Sequence, residues 1–180
     1  MSRAVVDAAI RALWPDGDSV HGPQVHMLLD GARDPAIAPL VRFGKLEYSC
    51  LFGGRLSPRL QAAAPYLVHL AAASPLTREL LERGWGNSWG ILTVAPPDVT
   101  IVQQRLHFKK FLRVMAENGE QLAFRFYDPR VLRIYLPTCT ADELARFQGQ
   151  LSSVIVEADG GAEWIEYRAA APASRFRLAP

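Results

Sequence analysis

The chain has 180 residues and a formal net charge of +2, from 20 Lys and Arg against 18 Asp and Glu. A chain of that size buries roughly 70% of its unfolded surface, enough for one core without a disulfide or a metal. The composition, 49% hydrophobic and 21% charged, is globular, and so balanced a charge lacks the clustered positive excess of a nucleic-acid binder.

The first helix is expected over Val5–Trp14, where Val5, Ala9 and Leu13 recur at helical spacing before Pro15-Asp16-Gly17 stops it. Gln24–Leu29 reads as a strand that Asp30-Gly31 turns. Asp34-Pro35 then caps a helix reaching about Phe43. Tyr48–Phe52 reads as a second strand, and Pro65–Ala73 as a buried strand or a short helix, which periodicity does not decide. Ser74 and Pro75 occupy the N-cap and first position of a helix that stops at Gly84. Ser88–Val94 is a further strand.

The longest helix is predicted from about Val99 to Glu117, ended by Asn118-Gly119. Ile101, Phe108, Phe111, Leu112 and Met115 form its apolar stripe, and Arg105, Lys109 and Arg113 its basic face. Gln121–Tyr127 alternates as a strand, with Phe124 and Phe126 on one face and Arg125 and Tyr127 on the other. Asp128-Pro129 caps a helix to about Leu136. Thr140 and Glu143 have the spacing of a capping box that starts another helix through Phe147. Ser153–Glu157 and Glu163–Tyr167 flank Asp159-Gly160-Gly161 as a hairpin. The expected fold is α/β (α+β), with one mixed β-sheet, helices packed on it and a C-terminal β-hairpin. One domain covers 1–170, and 171–180 is a frayed tail.

The chemistry of this sequence is sparse. Its four histidines form no HExxH or zinc spacing, and no glycine loop matches a phosphate-binding pattern. No catalytic constellation, metal site or cofactor is expected. Cys50 and Cys139 lie in no CxxC pattern and read as free buried thiols. Asp30, Asp34 and Asp128 follow predicted strands. Acids in that position suit turn formation and capping, and a small metal-assisted hydrolase using them is the alternative function.

Two segments stand apart. In Gly84-Trp85-Gly86-Asn87-Ser88-Trp89-Gly90, Trp85 and Trp89 suit either a core anchor or an interface hot spot. In Phe124-Arg125-Phe126-Tyr127-Asp128-Pro129-Arg130, the strand face carrying Arg125 and Tyr127 leads into a helix carrying Arg130 and Arg133. So many arginines cannot all be buried without carboxylate partners. Arg125, Tyr127, Arg130, Arg133, Trp85 and Trp89 are therefore the candidate partner-binding residues.

These segments also carry a family resemblance. His26-Met27-Leu28-Leu29-Asp30-Gly31, Pro65-Tyr66-Leu67-Val68-His69-Leu70, the Trp85–Trp89 loop and Leu106-His107-Phe108-Lys109-Lys110-Phe111 occur in order. The Phe124–Leu132 block, Leu136-Pro137-Thr138 and Glu143-Leu144-Ala145-Arg146-Phe147 follow. Together, over about 24–158, the chain resembles the bacterial adaptor/chaperone family of type VI secretion, a domain first catalogued as of unknown function. The resemblance implies a cytoplasmic, non-enzymatic adaptor. Its partners would be a secreted effector or toxin and the valine–glycine-repeat spike protein at the tip of the secretion apparatus. No nucleic acid and no membrane span enter this reading; every apolar stretch falls short of the ~20 residues that cross a bilayer, and no signal-type apolar run follows the N-terminus.

Overall fold

A computed structural model describes residues 1–17, 21–116, 118–161, 163–169 and 171–178. The helices are α1 (Arg3–Leu13), α2 (Ile37–Phe43), α3 (Pro58–Ala62), α4 (Pro75–Gly84), α5 (Ile101–Lys109), α6 (Pro129–Tyr135) and α7 (Ala141–Gln148). The strands are β1 (Gln24–Asp30), β2 (Tyr48–Cys50), β3 (Pro65–His69), β4 (Gly90–Ala95), β5 (Arg113–Met115), β6 (Gln121–Ala123), β7 (Ser153–Glu157), β8 (Trp164–Tyr167) and β9 (Ser174–Phe176). Seven strands form one sheet in the order β2-β3-β1-β4-β7-β8-β9, and β5 pairs with β6 apart from it.

The α/β (α+β) architecture is as the sequence predicts, with helices on one large sheet and the β7–β8 hairpin near the C-terminus, but among the described residues that sheet is antiparallel and not mixed. Neighbouring strands run antiparallel at every pairing. Alternation along β1 divides the core between the two faces. Val25, Met27 and Leu29 pack with Val6 and Ala9 of α1, Val41 of α2 and Leu80 and Leu81 of α4. Leu28, on the other face, joins Phe108 of α5, Leu132 of α6 and Phe147 of α7. The sheet is thus sandwiched between two helical layers, which is why β1, β4 and β7 read as nearly unbroken apolar runs.

Local signals fix most helix starts. Ser74 accepts the Leu76 N–H, with Pro75 in the first turn of α4. Thr140 and Glu143 form a reciprocal capping box on α7. Thr100 and Gln103 form a second one on α5. Asp34 instead accepts the Ala36 N–H at 2.8 Å and shapes the turn ahead of α2, which starts three residues later.

The long helix is shorter than predicted. α5 ends at Lys109, and the chain returns as the β5–β6 hairpin. Phe111 swings in against Phe147 and Phe126, at centroid distances of 5.2 and 6.2 Å, and leaves the helix to do so. Asn118-Gly119, with φ +82° at Gly119, turns a hairpin here instead of stopping a helix. Arg113 and Met115 therefore leave the helix faces predicted for them. Glu117, the predicted helix end, lies outside the described residues. The Gln121–Tyr127 strand also stops early, at Ala123. Phe126 and Tyr127 then turn inward together, so Arg125 and Tyr127 do not share a strand face.

Pro65–His69 settles as a strand, and α3 and β9 are elements the sequence reading did not include. β9 adds to the edge of β8, within the predicted tail; residues 179 and 180 of that tail lie outside the described residues. Among the described residues, no helix is long and apolar enough to cross a membrane.

Candidate functional site

The two segments singled out by sequence meet at the C-terminal end of β1. Asp30 is the meeting point. Its N–H donates to the Trp89 carbonyl at 2.7 Å, and its carboxylate accepts from Ala32 N–H at 3.1 Å and pairs with the Arg125 guanidinium. The Asp30 side chain is 1% exposed and that of Arg125 is 43% exposed. A buried carboxylate thus holds a guanidinium whose outer part faces solvent.

The same arrangement repeats one turn away. Asp128 caps α6 by accepting the Arg130 N–H at 3.0 Å. Arg130 returns to the same carboxylate through Nε, at 3.0 and 3.2 Å, and through Nη2 at 2.6 Å. Asp128 is buried and Arg130 is 46% exposed. Burial acts to raise the Asp128 carboxyl, but the side-chain and backbone hydrogen bonds of Arg130 outweigh it and hold the group below its ordinary range. Burial and the nearby Asp30 charge push the Tyr127 phenol up. Asp30, Arg125, Tyr127, Asp128 and Arg130 are therefore one electrostatic cluster, with two carboxylates and a phenol inside and two guanidinium groups at the rim.

Arg133 is half-buried on α6, and its charge acts on Glu157. Glu157 anchors the tryptophan loop. It accepts from Gly86 N–H at 2.5 Å, Ser88 N–H at 2.9 Å and Ser88 Oγ at 3.1 Å. Burial nevertheless raises its carboxyl above the ordinary value. Trp85 and Trp89 are both buried in the core. Trp85 Nε1 donates to the Gly161 carbonyl at 3.2 Å, and its ring lies 5.3 Å from that of Trp164. Of the six candidate residues, Arg125 and Arg130 reach the surface, Arg133 does so in part, and Tyr127, Trp85 and Trp89 lie beneath it.

Beside this corner runs a shallow depression of about 570 Å³, lined by Phe124, Asp128, Arg130, Val131, Ile134 and Tyr135. Ile134 is 71% exposed. The sequence reading missed this patch. Its signal was present in Val131 and Ile134, three apart on the helix that also presents Arg130. Apolar side chains next to ordered arginines are the composition of a protein-binding surface.

The three strand-end aspartates are placed as turn and cap residues. Asp30 and Asp128 carry arginine partners, and Asp34 accepts a backbone N–H. Among the described residues, no group of three or more His, Cys, Asp or Glu side chains is positioned to hold a metal ion. Substituting Asp128 separates its roles. Asp128→Ala is expected to lose about 0.5–2 kcal/mol with the cap. Asp128→Asn keeps the cap acceptor, gives up the ion pair and should fall between the two in a urea melt. Because the folded carboxyl titrates below its unfolded value, the stabilisation is present above the ordinary aspartate range and is lost as pH falls through the folded value. Equal damage by Asn and Ala would assign the effect to the charge and not the cap.

A family model described as "Domain of unknown function (DUF4123)" matches residues 25–146, from the start of β1 into α7. The match includes both aspartate–arginine pairs and the tryptophan loop. No curated protein and no solved structure matches the chain.

Proposed function

The chain belongs to the DUF4123 domain family, and on that premise we propose that it is a non-enzymatic adaptor/chaperone of bacterial type VI secretion. It binds an effector in the cytoplasm of the producing cell and helps load it onto the valine–glycine-repeat spike protein. The observation that carries this reading is the corner at Arg125 and Arg130. Two guanidinium groups are held in place from below by buried carboxylates, next to the exposed Ile134. Ordering such long side chains in advance removes part of the entropy cost of association. Guanidinium groups suit carboxylates on a partner, and the apolar patch supplies area to bury. The same pairs support binding over metal-assisted hydrolysis, since a guanidinium already neutralises the carboxylates of Asp30 and Asp128.

The test is co-purification of the tagged chain with the product of an adjacent effector gene and with the spike trimer. Ile134→Asp changes an exposed side chain, and Arg130→Ala keeps the backbone N–H that Asp128 accepts while giving up its ion pair; the two together should cost some stability but leave the circular dichroism of the folded chain unchanged. Effector or spike capture should fall about tenfold at low salt, and the gap from the unaltered chain should narrow as salt is raised, as expected for rim charges. Capture by neither partner with the unaltered chain would overturn the proposal. Undiminished capture by the folded variant at low salt would remove this corner from the interface.

A further inference from the structure

A second surface, which shares no lining residue with the corner depression, lies at the edge of the sheet formed by β2. There a groove of about 710 Å³ opens between the segment after β2 and the β5–β6 hairpin. Leu51, Phe52, Leu56 and Leu60 form one wall, and Leu112 and Leu122 the other. Lys109 and Arg113 stand at its rim. Lys109 Nζ reaches across to Gly53, 3.5 Å from where a Cβ there would sit.

The charged side chains that line the groove, Lys109 and Arg113, are both positive. No Asp or Glu occurs in residues 48–78 or 99–116, the two stretches that supply most of its walls. Those stretches carry Arg55, Arg59, Arg105, Lys109, Lys110 and Arg113, besides Arg78, which is paired with Asp7 of α1. Among the described residues, no carboxylate lines the groove. In a chain whose total charge is only +2, this is a local concentration of positive charge. Low-dielectric walls focus such a field on whatever enters.

The hairpin wall is also incomplete by itself. β5 and β6 share only a three-residue register, all six residues are exposed, and among the described residues no other strand pairs with either. Val114, Met115 and Leu122 of this hairpin are exposed, Met115 at 66%. A two-stranded hairpin alone is marginal in water and gains from a further covering layer. Its open edges offer backbone groups to an incoming segment.

We infer that this groove binds a peptide segment of a partner protein in which apolar side chains alternate with carboxylates. Leucine or phenylalanine side chains fill the floor, and the carboxylates pair with Lys109 and Arg113. The surface is distinct from the arginine corner, so the inference stands on its own chemistry; it rests on the adaptor reading only in taking the partner to be a protein.

The experiment is fluorescence anisotropy of the full chain with a labelled synthetic peptide of alternating leucine and glutamate. A matched peptide carries lysine in place of glutamate. The glutamate peptide should bind, weakening about tenfold as salt rises from roughly 0.05 to 0.3 M, and the lysine peptide should not. Lys109→Glu with Arg113→Glu should lose the glutamate peptide and gain the lysine peptide, a gain that an unfolded variant would not show. Leu122→Asp, on the exposed hairpin face, should weaken binding with the circular dichroism unchanged. Failure of the unaltered chain to bind, equal binding of both peptides, or unchanged preference in the charge-reversed variant would overturn the inference. Co-purification with effector or spike reports separately on the adaptor reading, so either can fail while the other stands.

Discussion

Trp85→Ala should cost about 3–5 kcal/mol in a urea melt, the scale of removing a large buried aromatic from a packed core. The ring is 2% exposed and packs beside Trp164 on the α4 face of the sheet. Truncation also removes the donor to the Gly161 carbonyl. The damage would spread through the loop, because the Trp85 anchor and the Glu157 cradle secure the same short segment. Gly86 sits at φ +85° and Ser88 at φ +57°, left-handed conformations that need such support. The opposing Gly161 has φ +70°, and a Cβ there would come within 2.6 Å of the Gly86 Cα. The two glycine turns thus meet closely, and a side chain at Gly161 would strike the Gly86 backbone. Trp85→Ala with an unaltered urea midpoint but lost partner capture would make the loop an interface instead.

What could be read from sequence was largely what neighbouring residues decide. Ser74-Pro75, Thr140 with Glu143, and Asp128-Pro129 carry their cap chemistry within a few positions, and all three helices start where those residues place them. Alternation and apolar runs were enough for β1, β4 and β7. The reading failed where one local signal serves two structures. Asn118-Gly119 can stop a helix or turn a hairpin, and the burial of Phe111 against Phe147 decided for the hairpin. The alternation of Gln121–Tyr127 was real but stopped at Ala123, because Phe126 and Tyr127 both find places in the aromatic cluster.

The site was legible only in its parts. Both segments that compose it stood out by composition, but their junction did not. Arg125 pairs with Asp30 across 95 positions of chain, and Glu157 reaches Gly86 across 71. No spacing rule connects residues so far apart. The arginine surplus did indicate that carboxylate partners must exist, and Asp30 and Asp128 are two of them. The aspartates that sequence reading offered as alternative chemistry thus stabilise the arginines offered for binding. Sequence alone presented these as competing functions; the fold makes them two halves of one cluster.

The second large effect concerns pH and arises inside the sheet. His69, His26 and Thr93 are cross-strand neighbours on β3, β1 and β4. The His26 and His69 rings stack at 4.8 Å. Gln104 of α5 lies over this row, accepting from Thr93 Oγ1 at 3.2 Å and donating its Nε2 N–H to His26 Nδ1 at 3.0 Å. With the amide in that orientation His26 Nδ1 is an acceptor, so its ring is neutral with the proton on Nε2. Protonating Nδ1 would set donor against donor in a buried site. Burial first, and the adjacent His69 second, push the His26 pKa down to about 3. An unfolded histidine titrates near pH 6.5, so between about pH 6.5 and 3 the unfolded chain binds the extra proton. Stability is therefore complete above that window and falls as pH drops through it. The loss from this one group is roughly 2 kcal/mol at pH 5 and of the order of 4 kcal/mol near pH 3. His69 and His107 are shifted in the same direction by burial, while Glu157 is shifted up and opposes them. The His26 share is isolated by comparing unfolding free energies at pH 7 and pH 5 for the unaltered chain and for His26→Gln. The variant should begin less stable, because it changes a packed ring, yet it should lose roughly 2 kcal/mol less on acidification. Equal losses in both proteins would mean that His26 is protonated in the folded state at pH 5, and that the Gln104 amide must then turn its oxygen toward it.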